Sequence, residues 1–366
     1  MRVAVFHNFM DNIGGAEKVG LTLGRELKAD LYTTNIDEDK IVKMGFNDVN
    51  LISIARVPIN APFRQQTAFY KFKKLKLENK YDFYIIDGDW AMSGAINNKP
   101  NLWYVHSPIR EIWDSYEYTR NNIVPWYYRN LFDIWVKYNR YLNLKYLKHV
   151  QGIACNSQNT KKRIKNFLKR EAKVIYPPVD TKKLYYRPAQ NYWLSVNRLF
   201  AHKRIEIQMQ AFSKLPSENL IIVGPYEKAR HFKKYVEFIK SIKPKNVEIK
   251  HWVSFDELRH LYANCKGLIA TARDEDFGLT PVEAMASGKP VIATNEGGYK
   301  ETIINDLTGK LIEDIDAEKL ARAVDEIGKN LEKYPSVCQQ QAEKFDTKVF
   351  VQKVKDMIND ALSKLS

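Results

Sequence analysis

Only three of the 366 residues are cysteine: Cys155, Cys265 and Cys338, odd in number and far apart. They suit neither a disulfide framework nor a zinc site, and they predict a reducing, cytoplasmic setting. No stretch approaches the roughly 18 uninterrupted apolar residues of a spanning helix. Repeats of solenoid period and low-complexity tracts are missing too, which excludes repeat arrays and linker-like chains. The chain opens directly on the strand-like Arg2-Val-Ala-Val-Phe6, so no secretory leader is expected before the fold. Acidic residues are in deficit, 43 against 58 Lys and Arg, leaving a net charge of +15.

What is present is a globular composition, 45% hydrophobic and 28% charged. At about 150 residues per domain, the length predicts two domains. The charge is uneven: residues 1–185 hold 30 Lys and Arg against 18 Asp and Glu, or +12, and the remainder only +3. A basic half attracts something anionic: a membrane face, a nucleic acid or a phosphorylated substrate.

Short β-rich runs alternate with longer helical patterns in both halves. The strands expected are Val3–Phe6, Asp30–Thr33, Phe83–Ile86, Leu102–Val105 and Gly152–Ala154. In the second half they are Tyr192–Val196, Asn219–Val223, Val247–His251, Gly267–Ala270 and Pro290–Ala293. Continuous apolar strands between helices imply parallel sheets covered on both faces, hence two doubly wound α/β units in tandem. Proline and polar residues from Tyr176-Pro-Pro-Val-Asp180 to Pro188 mark the boundary. The expected division is 1–180 and 181–346, with a terminal helix in 347–366 packing back on the first domain. Ligands of such folds sit at the carboxyl ends of the strands, and a cleft between two such sheets is the expected site.

Chemistry-bearing residues follow strands. Gly14-Gly15 precede a helix over Ala16–Leu27, and paired glycines at a helix N-terminus let backbone amides approach an anion. The pattern is neither Gly-x-Gly-x-x-Gly nor a Walker loop, so a dinucleotide reading is poor. Arg198 and Lys203 follow the Tyr192–Val196 strand; Arg can fork onto two diphosphate oxygens and Lys adds a point charge. Phe277-Gly278-Leu279 place bare amides before a helix expected to begin with Thr280 as cap and Pro281 at its first position. Glu283 then completes a Thr280-x-x-Glu283 capping box. Glu275 has no such structural duty; beside a phosphate cradle it suits the hydroxyls of a sugar. His106 stands at the end of the Leu102–Val105 strand, where Ser107-Pro108 breaks the chain. Asp87-Gly88-Asp89 offers too few carboxylates for a dedicated metal site and reads as a loop and helix-cap device.

Together these residues resemble the retaining GT-B glycosyltransferases, the group also called glycosyl transferases group 1 or family 4. The resemblance rests on Gly14-Gly-Ala-Glu17, Asn156-Ser-Gln-x-Thr160, Tyr176-Pro-Pro-Val-Asp180, Arg198-x4-Lys203, Glu275-x7-Glu283 and Gly297-Gly298-x-x-Glu301. It covers nearly the whole chain and is most specific from Glu275 to Pro290. It implies two Rossmann-like domains facing a central cleft, the first binding the acceptor and the second the nucleotide sugar. It also implies roles. Arg198 and Lys203 bind the donor diphosphate, Glu275 and the amides of Phe277, Gly278 and Leu279 hold sugar and phosphate, and Glu283 bonds the ribose. Gly14 and Gly15 meet the phosphate and His106 the sugar near the reacting carbon. Asn197 departs from the glycine usual before the Arg. No metal and no further cofactor are expected. Tyr104-Val-His-Ser-Pro-Ile-Arg-Glu-Ile-Trp-Asp114 is similar to a branch of mannosyltransferases that build O-antigen chains, which points to GDP-mannose as donor and to Arg110, Trp113 and Asp114 as acceptor contacts.

Two basic segments interleave cations with aromatics: Tyr70–Leu77 and Trp135–Lys148. They suit an anionic membrane surface and a lipid-linked or glycan acceptor, placing the protein peripherally on the inner face of the cell membrane. The competing arrangement is a solvated helical face with its aromatics turned inward. A nucleic-acid-binding protein would need a binding module or aromatic platform that the sequence does not show, so no nucleic acid is expected. A nucleotide-sugar epimerase or a phosphorylase on the same fold are the alternative enzymes, the latter needing a pyridoxal-phosphate lysine that does not stand out.

Overall fold

The computed structural model describes residues 1–364 apart from Asn79, 225–229 and Trp252. The last two residues of the expected 347–366 segment thus lie outside the described residues. The chain divides into two compact units, Met1–Pro178 with Lys348–Ser366, and Val179–Thr347.

The first unit holds a seven-stranded sheet: β1 Val3–Met10, β2 Asp30–Ile36, β3 Leu51–Ala55, β4 Phe83–Ile86, β5 Asn101–Val105, β6 Gly152–Cys155 and β7 Lys173–Val174. Their order is β3-β2-β1-β4-β5-β6-β7, and every pairing is parallel. The second unit holds six: β8 Trp193–Val196, β9 Leu220–Val223, β10 Val247–Lys250, β11 Leu268–Ala270, β12 Val291–Thr294 and β13 Gly309–Ile312, ordered β10-β9-β8-β11-β12-β13, again all parallel. Both orders reverse direction once, between β1 and β4 and between β8 and β11, as in doubly wound nucleotide-binding folds.

Seven helices bear on the argument. They are α1 Gly15–Glu26, α2 Phe63–Lys74, α3 Arg129–Leu147, α4 Ile205–Ser213, α5 Leu279–Ala286, α6 Ala317–Gly328 and α7 Thr347–Ser363. Parallel strands need helical crossovers, and these cover both faces of the first sheet. Phe6, Phe72, Trp103, Val136 and Ile164 fill one face. Val5, Leu21, Leu23, Phe83 and Leu102 fill the other, where Phe350, Val351, Val354 and Ile358 of α7 join them. The terminal helix is therefore part of the first unit's core although the whole second unit precedes it in sequence.

Ten strands lie where the apolar runs predict them, with ends shifted by a few residues. Three were not predicted. β3 is an edge strand with no fully buried residue, β7 has two residues, and β13 mixes Gly and Lys with Leu and Ile. None is the continuous apolar run that marks a central strand. The three cysteines are buried and not joined in disulfides, and no described helix is long and apolar enough to cross a membrane.

Candidate functional site

In the first unit the switch point between β1 and β4 gathers groups from three strands. Asp87, one residue past β4, is fully buried. His7 Nδ1 lies 2.9 Å from its Oδ2, and His106 Nε2, one residue past β5, lies 2.8 Å from its Oδ1. Irregular β1–β2 register between Phe6 and Phe9 brackets His7, and such bulges re-aim side chains. Burial alone would raise the Asp87 pKa, but the charge and hydrogen bonds of His106 and His7 outweigh it and hold the carboxyl below its ordinary range. Burial would lower His7, yet the hydrogen bond and charge of Asp87 leave it raised. Helix α1 packs on this group through Gly20, where a Cβ would fall 2.7 Å from Asp87 Oδ2 and 3.2 Å from His7 Nδ1.

The loop-and-cap reading of Asp87-Gly88-Asp89 is therefore corrected at Asp87. Asn8 Oδ1 accepts from the amides of Trp90 and Ala91. Asp87 instead bridges two histidines, because strand β4 delivers it inward between β1 and β5.

Gly14 is extended and immediately precedes α1, which starts on Gly15 without a side-chain cap. Beyond His106, Arg163 donates to Ser107 Oγ at 3.0 Å. Arg110 Nε donates to Asp114 at 3.0 Å, and Arg163 lies 3.5 Å from the same carboxylate. Trp113 stacks on Phe167 with centroids 5.6 Å apart and carries Arg140 5.2 Å from its ring. Arg110 and Asp114 thus pair with each other, and Trp113 packs against the core.

In the second unit the switch point between β8 and β11 brings Lys203 and Glu275 together: Nζ and Oε2 are 2.5 Å apart, on side chains 16% and 21% exposed. The two loops that carry them are tied through backbone carbonyls. Thr271 Oγ1 donates to the Lys203 carbonyl, and the Arg273 amide donates to the His202 carbonyl. Arg204, in the left-handed region at φ 50°, donates to the Thr271 and Ala272 carbonyls and to Glu296. Glu296 Oε2 accepts the Asp274 amide in turn. Gly297-Gly298 closes the arrangement from the next loop. At Gly297, φ 57°, a Cβ would lie 2.3 Å from the Glu275 carbonyl oxygen, so only glycine admits the Glu275 loop. Arg198 lies in the β8–α4 connection with its guanidinium carbon 5.3 Å from the Phe200 ring centroid. The neighbouring Asn197 Nδ2 donates to Ser195 Oγ, a bond that a glycine there would lack.

The expected cap of α5 is corrected as well. Gly278, at φ 94°, precedes a helix that already includes Leu279, and no side chain caps it. Thr280 is inside the first turn, so no capping box forms. Glu283 instead accepts from the Tyr262 hydroxyl at 2.8 Å, and Tyr262 is raised well above the ordinary phenol by burial and by Glu283. Phe277 is buried edge-on against Phe345, centroids 5.5 Å apart.

Sequence reasoning missed His7, Gly20, Arg204 and Glu296. A histidine inside a strand, a glycine inside a helix and an arginine beside the chosen lysine carry no local signal; their partners lie between 13 and 92 residues away.

The second unit matches the model for Glycosyl transferases group 1 over residues 180–345, and the first matches Glycosyltransferase Family 4 over residues 13–183. An uncharacterized glycosyltransferase of Methanocaldococcus jannaschii is 31% identical over 50% of this chain and 54% of its own length. An alpha-1,3/1,6-mannosyltransferase of Candida glabrata is 27% identical over 83% of this chain and 78% of its own. An O-antigen chain mannosyltransferase of Salmonella typhimurium is 30% identical over 59% and 61%. This chain therefore spans little more than half the length of the first and third. Among solved structures, Anabaena HepE in complex with UDP-glucose superposes with a TM-score of 0.77 at 17% identity, covering 98% of this chain and 100% of that one, which extends the likeness of fold to the GT-B arrangement of two Rossmann-like domains. With its two halves matched by these two models from residue 13 to residue 345, the chain belongs to the glycosyltransferases of group 1 and family 4.

Proposed function

We propose that this protein is a retaining mannosyltransferase. It takes the sugar from a nucleotide diphospho-sugar, with GDP-mannose as the expected donor, and passes it to a lipid-linked or glycan acceptor in glycan assembly, without a metal. The observation that carries the reading is the Lys203–Glu275 contact at the carboxyl ends of β8 and β11. A cation and an anion held this close, and largely shielded from water, neutralise each other in the free chain. A donor separates their duties: Lys203, with Arg198, turns to the diphosphate, and Glu275 accepts hydroxyls of the sugar. As the C1–O bond breaks, charge grows on the diphosphate, and the two cations and the Phe277–Leu279 amides stabilise it. The acceptor hydroxyl oxygen bonds to C1 on the face the diphosphate vacates, which keeps the anomeric configuration, and its proton passes to the leaving phosphate oxygen. His106 meets a hydroxyl of the reacting sugar. The mannosyl choice is supported by the names of the relatives from Candida glabrata and Salmonella.

The same reading places the protein peripherally on the cytoplasmic face of a membrane. Support comes from an exposed stripe. Leu131, Ile134, Tyr138 and Tyr141 recur along one side of α3 and stand in solvent, as do Trp126, Tyr127 and Tyr128 just before it. Lys137, Lys145 and Lys148 are exposed beside them. Tyr138 bonds Tyr70 at 2.5 Å, joining the stripe to α2 with its exposed Lys71 and Lys74. The inward arrangement of these aromatics holds only for residues such as Trp135 and Tyr146. Thermal-shift screening against nucleotide sugars, followed by turnover with and without acceptor, tests the activity. Arg198→Ala with Lys203→Ala is expected to lower turnover by about 10²-fold or more. Undiminished turnover in that double variant removes the role, and sugar conversion without acceptor favours an epimerase.

A further inference from the structure

We propose that Asp87 is a positioning residue that locks His106 in its Nε2–H tautomer, so that Nδ1 faces the substrate as a hydrogen-bond acceptor. The proposal rests on the reading that His106 meets a sugar hydroxyl. An ionised carboxylate only accepts hydrogen bonds. Its two oxygens are each occupied by a different imidazole, at 2.9 and 2.8 Å, so the nitrogen facing it on each ring carries the hydrogen. For His106 that nitrogen is Nε2, and in the neutral ring Nδ1 then keeps its lone pair.

The surroundings prevent the arrangement from relaxing. Asp87 has no exposed side-chain surface and His7 only 4%, so water cannot replace either partner. Gly20 brings the α1 backbone against Oδ2. The backbone amide of Asp87 donates to the Phe6 carbonyl at 2.7 Å. Tyr104 also packs edge-on against the His106 ring at 5.3 Å, fixed by its own bond to the Ile175 carbonyl. Thr160 Oγ1 holds the His106 carbonyl at 3.2 Å. Of the three members only His106 reaches the surface, at 22% exposure. A buried aspartate whose only duty was to staple β1, β4 and β5 would have no need of an open member. A buried carboxylate that fixes tautomer and ring orientation is a known way of preparing a histidine for chemistry.

The test reads the tautomer of His106 directly, by long-range proton–nitrogen NMR of the full-length ligand-free protein, beside steady-state kinetics. The wild type is expected to show Nε2–H at His106. Asp87→Asn offers one acceptor and one donor to two histidines, so that preference is expected to be lost and kcat to fall about 10²-fold with a smaller change in the donor KM. His7→Gln, whose amide still donates to Oδ2, is expected to keep the Nε2–H form. An Nδ1–H His106 in the wild type overturns the proposal, whether or not the Asn variant folds. So does an Asn variant that changes tautomer and keeps full kcat, or one that loses kcat with the tautomer intact. A wild type that transfers sugar with an Nδ1–H His106 sinks this inference alone. A wild type with the expected tautomer and no transfer from any nucleotide sugar sinks the proposed function instead.

Discussion

Gly20→Ala reverses an ordinary rule and so tests the packing at the first switch point. Alanine in a helix interior is favoured over glycine by about 1 kcal/mol, and α1 runs three residues or more past Gly20 on either side. Elsewhere the change would stabilise. Here the added Cβ lands 2.7 Å from Asp87 Oδ2 and 3.2 Å from His7 Nδ1, whereas packed heavy atoms settle nearer 3.5 Å. Either α1 or the carboxylate must retreat by most of an ångström. Overpacking of this kind costs about 1–3 kcal/mol, and a stretched hydrogen bond to a charged group forfeits up to about 1.5–3 kcal/mol more. After the helical gain is subtracted, a net loss of about 2–3 kcal/mol remains. For a unit of this size that lowers the melting temperature by roughly 4–12 °C. Urea unfolding and differential scanning fluorimetry measure it. Gly328→Ala, at the end of α6 where the nearest atom to a Cβ is Trp193 Cζ2 at 3.8 Å, is the control and is expected to be neutral or slightly stabilising. A Gly20→Ala protein as stable as the wild type would refute the close approach and the constraint placed on Asp87.

Stability should also depend on pH through the same cluster. His7 lies above its ordinary 6.5 in the fold, so its contribution is complete below that value and fades as pH rises through the folded one; Asp87 lies below 3.8, so its contribution holds above that value and fades as acid reaches the folded one. Asp87→Asn is expected to flatten both limbs in urea titrations from pH 3 to 9, and unchanged limbs would contradict the coupling. At the membrane face, Leu131→Ser, Ile134→Ser and Tyr141→Ser together remove apolar side chains worth about 1.5 kcal/mol or more each when buried. Sedimentation with anionic vesicles is expected to fall at least about tenfold, and binding of the wild type to weaken as salt screens the lysines. A wild type that does not sediment at low salt would remove the membrane reading.

The sequence by itself determined the class of fold and named candidates at the second switch point. Central strands are continuous apolar runs because helices cover both faces of a parallel sheet, and all nine were legible. Arg198, Lys203 and Glu275 could be named as candidates because each stands in the connection after one of those strands, where ligands of this fold are bound; that Lys203 and Glu275 meet was decided by the fold. Of the four edge strands only β10 was legible; β3, β7 and β13 were not, since half-exposed backbone needs no apolar run. The sequence also left open which way the α3 aromatics face: Tyr138 and Trp135 sit three residues apart, and only packing separates the solvent side from the core. Tertiary structure alone decided what Asp87 does. The residue types around it suited a cap or a metal as well as a histidine, and 80 residues of chain separate it from His7. Local chemistry fixes what a short segment prefers; a buried charge takes its role from whichever groups the sheet order places within three ångströms of it.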